Sequence, residues 1–360
     1  MKNKFSDSFE VSGVRVGADA PVYFIADIGA NHDGDLSRAK ELISLAAENG
    51  AHAAKFQHFQ ANTIVSDYGF QNIADAATHQ ASWKKSVYKV YDDASLNLEW
   101  TDKLSEYCKQ AGIHFFTSPY SFALVDFVDE FVPAYKVGSG DITWLEIIKH
   151  IAEKNKPYFI ATGASDLNEV DDAVAVAVEN NPNFALLQCN TNYTGSLQNF
   201  SFVNLNVLRA FASRYPGLIL GLSDHTPGNS TVLGAVALGA KVIEKHFTDD
   251  NRRTGPDHAF AMEPDDWKQM VLQVSELELA LGDGVKRVEE NELETQVVQR
   301  RSIRLRTDLK SGTVIEPCHL EFLRPAPNDH LGLSKTKEII GRIINVSRVK
   351  GDYLRKTDFD

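Results

Sequence analysis

Apolar residues fall along the chain in two alternating textures. Short runs rich in β-branched and aromatic residues read as strands: 22–29 (VYFIADIG), 51–57 (AHAAKFQ), 114–119 (HFFTSP), 134–140 (AYKVGSG), 157–163 (PYFIATG), 184–190 (FALLQCN), 218–224 (LILGLSD) and 241–247 (KVIEKHF). Between them lie stretches with helical spacing, such as LSRAKELISLAAENG, LEWTDKLSEYCKQAG and STVLGAVALGA. Several stop at glycine, as a left-handed cap requires. Strands buried on both faces carry continuous apolar runs, and their alternation with helices implies a parallel sheet. Eight such units predict an α/β fold, a closed (β/α)8 TIM barrel. The alternative is an open doubly wound sheet. Against it, no GxGxxG follows the first strand, and polar residues end every strand rather than marking one switch point.

The pattern divides the chain into a barrel domain over 1–282, a polar, helical linker over 283–299 and a β-rich appendage over 300–360. In the appendage LKSGTVIEPCHL is echoed weakly by RVKGDYLRKTDF. One connection is abnormally long, the roughly forty residues after His58. Its aromatics Tyr68, Phe70, Trp83, Tyr88 and Tyr91 either seal a pocket or pack the loop onto the barrel.

Charge and cysteine content narrow the function. The formal net charge of −12 over 360 residues argues against a nucleic-acid or anionic-membrane partner, so an anionic substrate needs local lysines or arginines. Three widely spaced cysteines form neither a disulfide framework nor a zinc ribbon, which suits a cytoplasmic protein. No run has the character of a signal peptide or reaches membrane-spanning length.

Active sites of such barrels lie at the C-terminal ends of the strands. There the chain offers Asp27, Asn31 and His32; Lys55 and Gln57; Ser118; Lys136, Ser139 and Asp141; Thr162; Gln188, Asn190 and Tyr193; Ser223, Asp224 and His225; and Glu244 and His246. Period-two geometry puts Lys55 with Gln57, and Glu244 with His246, on one face of their strands. Buried charge is costly unless paired or used, so a ring of this kind is poor core filling. His225 and His246 end adjacent strands, and their imidazoles are candidate ligands of one divalent cation acting as a Lewis acid. The plain alternative is two hydrogen-bonded histidines. Lys55 and Lys136, with Ser118, Ser139 and Thr162, make a cradle for a phosphate and a carboxylate, or else two salt bridges to Asp141 and Glu244.

Taken together, FIADIGANHDGDLSRAKELI, AAKFQ, FFTSPYS, AYKVGSGDI, FIATGAS, GLSDHT and IEKHFTDDNRRTGPDHAFAM resemble the sialic acid synthase family over essentially the whole chain. RRSIRLRTDLKSGTVIEPCHLEFLRP is similar to that family's antifreeze-like (SAF) domain. The resemblance implies condensation of phosphoenolpyruvate with an open-chain N-acylated hexosamine, giving a nonulosonic acid and phosphate by C–O cleavage. It implies manganese, with magnesium or cobalt as alternatives, on His225 and His246. Phosphoenolpyruvate falls on Lys55, Ser118, Lys136, Ser139, Thr162, Thr191 and Ser223, and the sugar on Gln57, Tyr193, Asp257 and Arg324. Asp27, Lys55 and Glu244 take the catalytic places. Arg324 would arrive from the tail of the other chain in a domain-swapped homodimer.

Four positions depart from the family pattern: Asp27 and Asp141 where glutamate is common, Ala161 for a serine, and Thr191 for an asparagine. Two shortened carboxylates suit a bulkier or repositioned acceptor. A di-N-acetylated dideoxyhexose, as in legionaminate or pseudaminate synthesis, and a phosphorylated sugar are therefore alternative acceptors. A metal-dependent hydrolase is disfavoured because no His-x-His ends the first strand. A glycan- or ice-binding tail alone would leave the polar ring without a use.

Overall fold

A computed structural model describes residues 5–72 and 85–359. The chain divides into two compact units, Met1–Gly282 and Asp283–Asp360.

The first unit opens with a hairpin, β1 (Ser8–Val11) and β2 (Val14–Gly17), paired antiparallel. Its two-residue turn places Ser12 at φ 44° and Gly13 at φ 85°, the left-handed pair that a tight hairpin needs. Phe9 packs edge-on against Phe159 and Phe5 against Phe184, near the starts of two barrel strands, so this segment covers the N-terminal end of the barrel. The sequence pattern did not predict it.

Eight parallel strands follow: β3 (Tyr23–Asp27), β4 (Ala53–His58), β5 (His114–Pro119), β6 (Tyr135–Val137), β7 (Tyr158–Ala161), β8 (Phe184–Cys189), β9 (Ile219–Asp224) and β10 (Val242–His246). They close in sequence order, with β10 pairing β3, into the barrel that the alternation predicts. Nearly every strand residue is buried, because helices cover the outside and side chains fill the inside. Local signals set the helix limits. Asp35 caps helix Leu36–Glu48 through the Ser37 and Arg38 amides, and Gly112 at φ 78° ends helix Thr101–Ala111.

Register levels the strand ends. Asp27 stands opposite Lys55 on one side and His246 on the other, and Glu244 stands opposite Ser223. The long connection after β4 forms helices Ala61–Ile64, Asp67–Asn72 and Val87–Ala94. Of its expected aromatics, Tyr68 and Phe70 are exposed, Tyr88 is half-buried, and Trp83 lies outside the described residues.

In the second unit β11 (Ser302–Leu305) pairs antiparallel with β12 (Leu320–Leu323) over a small core that includes Ile303, Leu305, Ile315, Ile344 and Leu354. The stretch expected to be a linker clusters with this unit and holds a short helix, Leu293–Gln299. The sequence echo is structural. Gly312 and Gly351 both turn at positive φ, and buried Ile315 and Leu354 follow. Each repeat then closes on a 3-10 turn, Pro317–His319 and Lys356–Asp358. No helix among the described residues is long and apolar enough to cross a membrane.

Candidate active site

A cavity of about 410 Å3 opens at the C-terminal ends of the barrel strands. Thirteen of the fifteen predicted site residues line it: Asp27, Lys55, Gln57, Ser118, Lys136, Ser139, Thr191, Tyr193, Ser223, His225, Glu244, His246 and Asp257. Strand alternation brings them there. On β10 Glu244 and His246 face the lumen, while Lys245 turns outward to Asp224 at 2.5 Å.

Two expected residues are elsewhere. Thr162 does not line the cavity, because its hydroxyl donates to the Leu187 carbonyl at 3.1 Å, locking β7 to β8 instead. Arg324 belongs to the second unit and is not among the lining residues. Three members of the wider strand-end ring also serve structure. Asp224 accepts from Thr226, Thr231 and Lys245, and Asn31 donates to the Phe247 carbonyl. Gln188 donates to Val203.

The floor carries two buried ion pairs. Lys55 Nζ lies 2.7 Å from Asp27 Oδ2, and Lys136 Nζ lies 3.4 Å from Glu244 Oε1, which also accepts from the Ser223 hydroxyl at 3.0 Å. Lys55 thus pairs with Asp27, and Asp141 takes neither lysine. Burial drives the Asp27 carboxyl upward; Lys55 draws it down, and the charge on Glu244 adds to the rise. Burial also pushes Glu244 up, but Lys136, Lys55 and the Ser223 hydroxyl win and bring it down to about 2. Asp141, half-buried on the same cavity, is raised to about 6 by burial, with Lys136 opposing.

The imidazoles of His225 and His246 lie with ring centres 5.4 Å apart, and Tyr193 and Phe260 pack edge-on against both. His225 Nδ1 is 2.9 Å from the Asn190 carbonyl and donates to it, so Nε2 is its remaining nitrogen; burial lowers the pKa of this ring, but Cys189 and the Asn190 carbonyl outweigh burial and raise it. His246 is held neutral by burial, its pKa lowered to about 3. Its Nδ1 has no hydrogen-bond partner and stands 3.8 Å from Asp257 Oδ2. Two imidazoles, one of them beside the Asp257 carboxylate, are donors of the chemistry that suits a divalent cation.

Four buried polar atoms at this cavity lack partners: Asp27 Oδ1, Ser118 Oγ, Glu244 Oε2 and His246 Nδ1. Unsatisfied polar atoms are costly, and so many around one space mark a binding site.

Close packing frames these groups. A Cβ on Gly163 would overlap Thr191 Oγ1 and press on Ser139 Oγ, so only glycine lets the two hydroxyls stand where they do. Gly29, at φ 50°, leaves room for Asp257 and His246 in the same way. Sequence reasoning missed Gly163 and the lining residues Phe59 and Tyr120 as site members, whereas Tyr91, one of the aromatics expected either to seal a pocket or to pack the loop, does line the cavity.

Comparison with known proteins agrees with this geometry. The NeuB family profile matches residues 42–286. The chain is 33% identical over 339 residues to N,N'-diacetyllegionaminic acid synthase of Campylobacter jejuni, covering 92% of this chain and 98% of that one. It is 35% identical to the protein of the same name from Legionella pneumophila, with 96% and 97% covered. The crystal structure of N-acetylneuraminic acid synthetase from Leptospira borgpetersenii superposes with a TM-score of 0.70 at 26% identity, covering 82% of this chain and 96% of that one.

Proposed function

Because the chain belongs to the NeuB family, we propose that it joins phosphoenolpyruvate to the aldehyde of an open-chain N-acylated hexosamine and releases phosphate. Family membership makes it a phosphoenolpyruvate-condensing synthase, a transferase that forms a nonulosonic acid. The proposal concerns the acceptor, the cation and the role of each residue.

What carries the reading is one observation: two paired lysines and two imidazoles, far apart in sequence, line a single cavity. Lys55 and Lys136 meet the substrate's carboxylate and phosphate, with Ser118, Ser139, Thr191 and Ser223 donating hydrogen bonds. A divalent cation, manganese in this reading, would be held by His225 and His246 and would supply Lewis acidity for the acceptor's aldehyde. C3 of the enol attacks the aldehyde carbon and water adds at C2. Phosphate then leaves with its bridging oxygen as the C2–O bond breaks. The new C4 alkoxide gains a proton and the attacking water loses one. Asp27, which lines the cavity, handles this proton at Oδ1, its buried oxygen without a hydrogen-bond partner. Glu244 orients Lys136 and Ser223. Gln57, Tyr193 and Asp257 contact the sugar. The family resemblance alone adds Arg324, lent by a domain-swapped partner, as a contact to the acyl group.

Purified protein is supplied with phosphoenolpyruvate, Mn2+ and a panel of N-acyl hexosamines. Phosphate release is followed and the products are weighed by mass spectrometry. One equivalent of phosphate per sugar-plus-pyruvate adduct supports the reading; phosphoenolpyruvate left intact with every acceptor ends it.

A further inference from the structure

The segment after β10 leaves the barrel at Phe247 and returns beside it at Met262, where the two residues bridge in parallel. Between them, Pro256 and Asp257 line the cavity. Asp257 Oδ2 accepts from the Ala30 amide at 3.1 Å and stands 3.8 Å from His246 Nδ1. The next residue, His258, is wholly buried and does not line the cavity. Both of its ring nitrogens are engaged. Nε2 lies 3.0 Å from Asp33 Oδ1 and, because a carboxylate only accepts, carries the hydrogen of that bond. Nδ1 lies 2.8 Å from the hydroxyl of Thr248, itself wholly buried.

These contacts belong to a closed circuit. Asp33 Oδ2 pairs with Arg38 Nε at 3.0 Å, and Arg38 pairs in turn with Asp249 through its terminal nitrogens. Asp249 follows Thr248 in the chain, and its Oδ1 lies 3.2 Å from the Thr248 hydroxyl. Asp33 and Arg38 follow β3, whereas Thr248, Asp249 and His258 follow β10, so the circuit fastens together the segments after two neighbouring strands. None of the five residues lines the cavity.

Resting on the reading above, in which Asp257 contacts the sugar, we propose that His258 is a positioning residue for the acceptor. Held between Asp33 and Thr248, it fixes the backbone from which the adjacent Asp257 carboxylate reaches the cavity. His258 cannot shift without stripping buried polar atoms of their partners, which is costly. Asp257 therefore meets the acceptor already ordered, and a displacement of about 1 Å at such a contact costs as much as about a hundred-fold in rate. The groups assigned to phosphoenolpyruvate, among them Lys55, Ser118, Lys136 and Ser223, stand on other strands. Loosening the circuit thus weakens the hold on the sugar and spares that on phosphoenolpyruvate.

The experiment uses the full chain with Mn2+ and the N-acyl hexosamine that the parent turns over fastest. Steady-state kinetics gives the acceptor KM, and calorimetry gives the Kd for phosphoenolpyruvate alone. Thr248→Val removes the hydroxyl at nearly constant volume, and His258→Leu removes both ring contacts. Each should raise the acceptor KM about ten-fold or more, the scale on which outer-shell partners act, while the phosphoenolpyruvate Kd stays within about two-fold. Thr248→Ser keeps the hydroxyl and should hold the acceptor KM within about three-fold of the parent. An acceptor KM unchanged in Thr248→Val overturns the inference and leaves the condensation standing, whether or not His258→Leu folds. A phosphoenolpyruvate Kd that rises as far as the acceptor KM does the same, because it marks a general loosening of the barrel mouth. A parent that turns over no acceptor ends the condensation reading and this role for His258 with it.

Discussion

Asp141 should hold native stability hostage to pH, and Asp141→Asn should release it. Its carboxyl is raised from 3.8 to about 6, chiefly by burial on the cavity wall. Between about pH 4 and pH 6 the unfolded chain has already lost this proton while the folded chain keeps it. The Asp141 contribution therefore falls as pH rises through that window, then stays level above it. At about 1.4 kcal/mol per pH unit the full penalty above pH 6 approaches 3 kcal/mol. Partial solvent contact screens it, so about 1–2 kcal/mol is expected. The assay is urea unfolding of both proteins at pH 4.5 and pH 7.5. Asp141→Asn should gain about 1–2 kcal/mol over the parent at pH 7.5 and much less at pH 4.5. An identical difference at the two pH values would refute the argument from burial.

Three further perturbations probe the site. His225→Ala and His246→Ala should each reduce turnover by at least about a hundred-fold and abolish high-affinity Mn2+ binding in calorimetry, with the circular dichroism spectrum unchanged. Lys136→Met takes from buried Glu244 its paired ammonium, leaving the Ser223 hydroxyl and the more distant Lys55, so it should cost about 3 kcal/mol in urea unfolding as well as raising the KM for phosphoenolpyruvate. Gly163→Ala should push Thr191 and Ser139 out of place, raising the KM for phosphoenolpyruvate about ten-fold or more with little change in Tm.

The barrel is legible in the sequence because each of its strands is a continuous apolar run, and the observed strand limits fall inside those runs apart from His58. The charged ring is legible for the opposite reason: Lys55 or Glu244 in an apolar run has no solvated alternative. Other features carry no such contrast. Thr162 stands near the end of its apolar run as Ser118 does, yet position alone does not say that its hydroxyl turns to Leu187. Gly163 looks like any loop glycine until Ser139 and Thr191 arrive from neighbouring strands. Tyr120 sits inside a quoted motif, but an aromatic after a buried strand reads equally well as packing. The hairpin over Ser8–Gly17 turns on Ser12–Gly13, a weaker signal than Asn-Gly, in strands of four residues each.

One alternation gives the seventh and eighth barrel strands two functions at once. Inward, Ser223 and Glu244 form a bonded pair, and His225 and His246 stand above them at the cavity. Outward, Asp224 and Lys245 pair at 2.5 Å with both side chains almost wholly buried. Asp224 further accepts from the Thr226 and Thr231 hydroxyls, and Lys245 reaches the Thr226 carbonyl at 2.6 Å. His225 is flanked in sequence by Asp224 and Thr226, so this outward network fixes the backbone on either side of its imidazole. The Asn190 carbonyl then fixes the ring through Nδ1. A buried ion pair contributes little net stability, but it defines geometry wherever its alternatives are all worse. Side chains outside the cavity lining thus help hold the two imidazoles with their ring centres 5.4 Å apart.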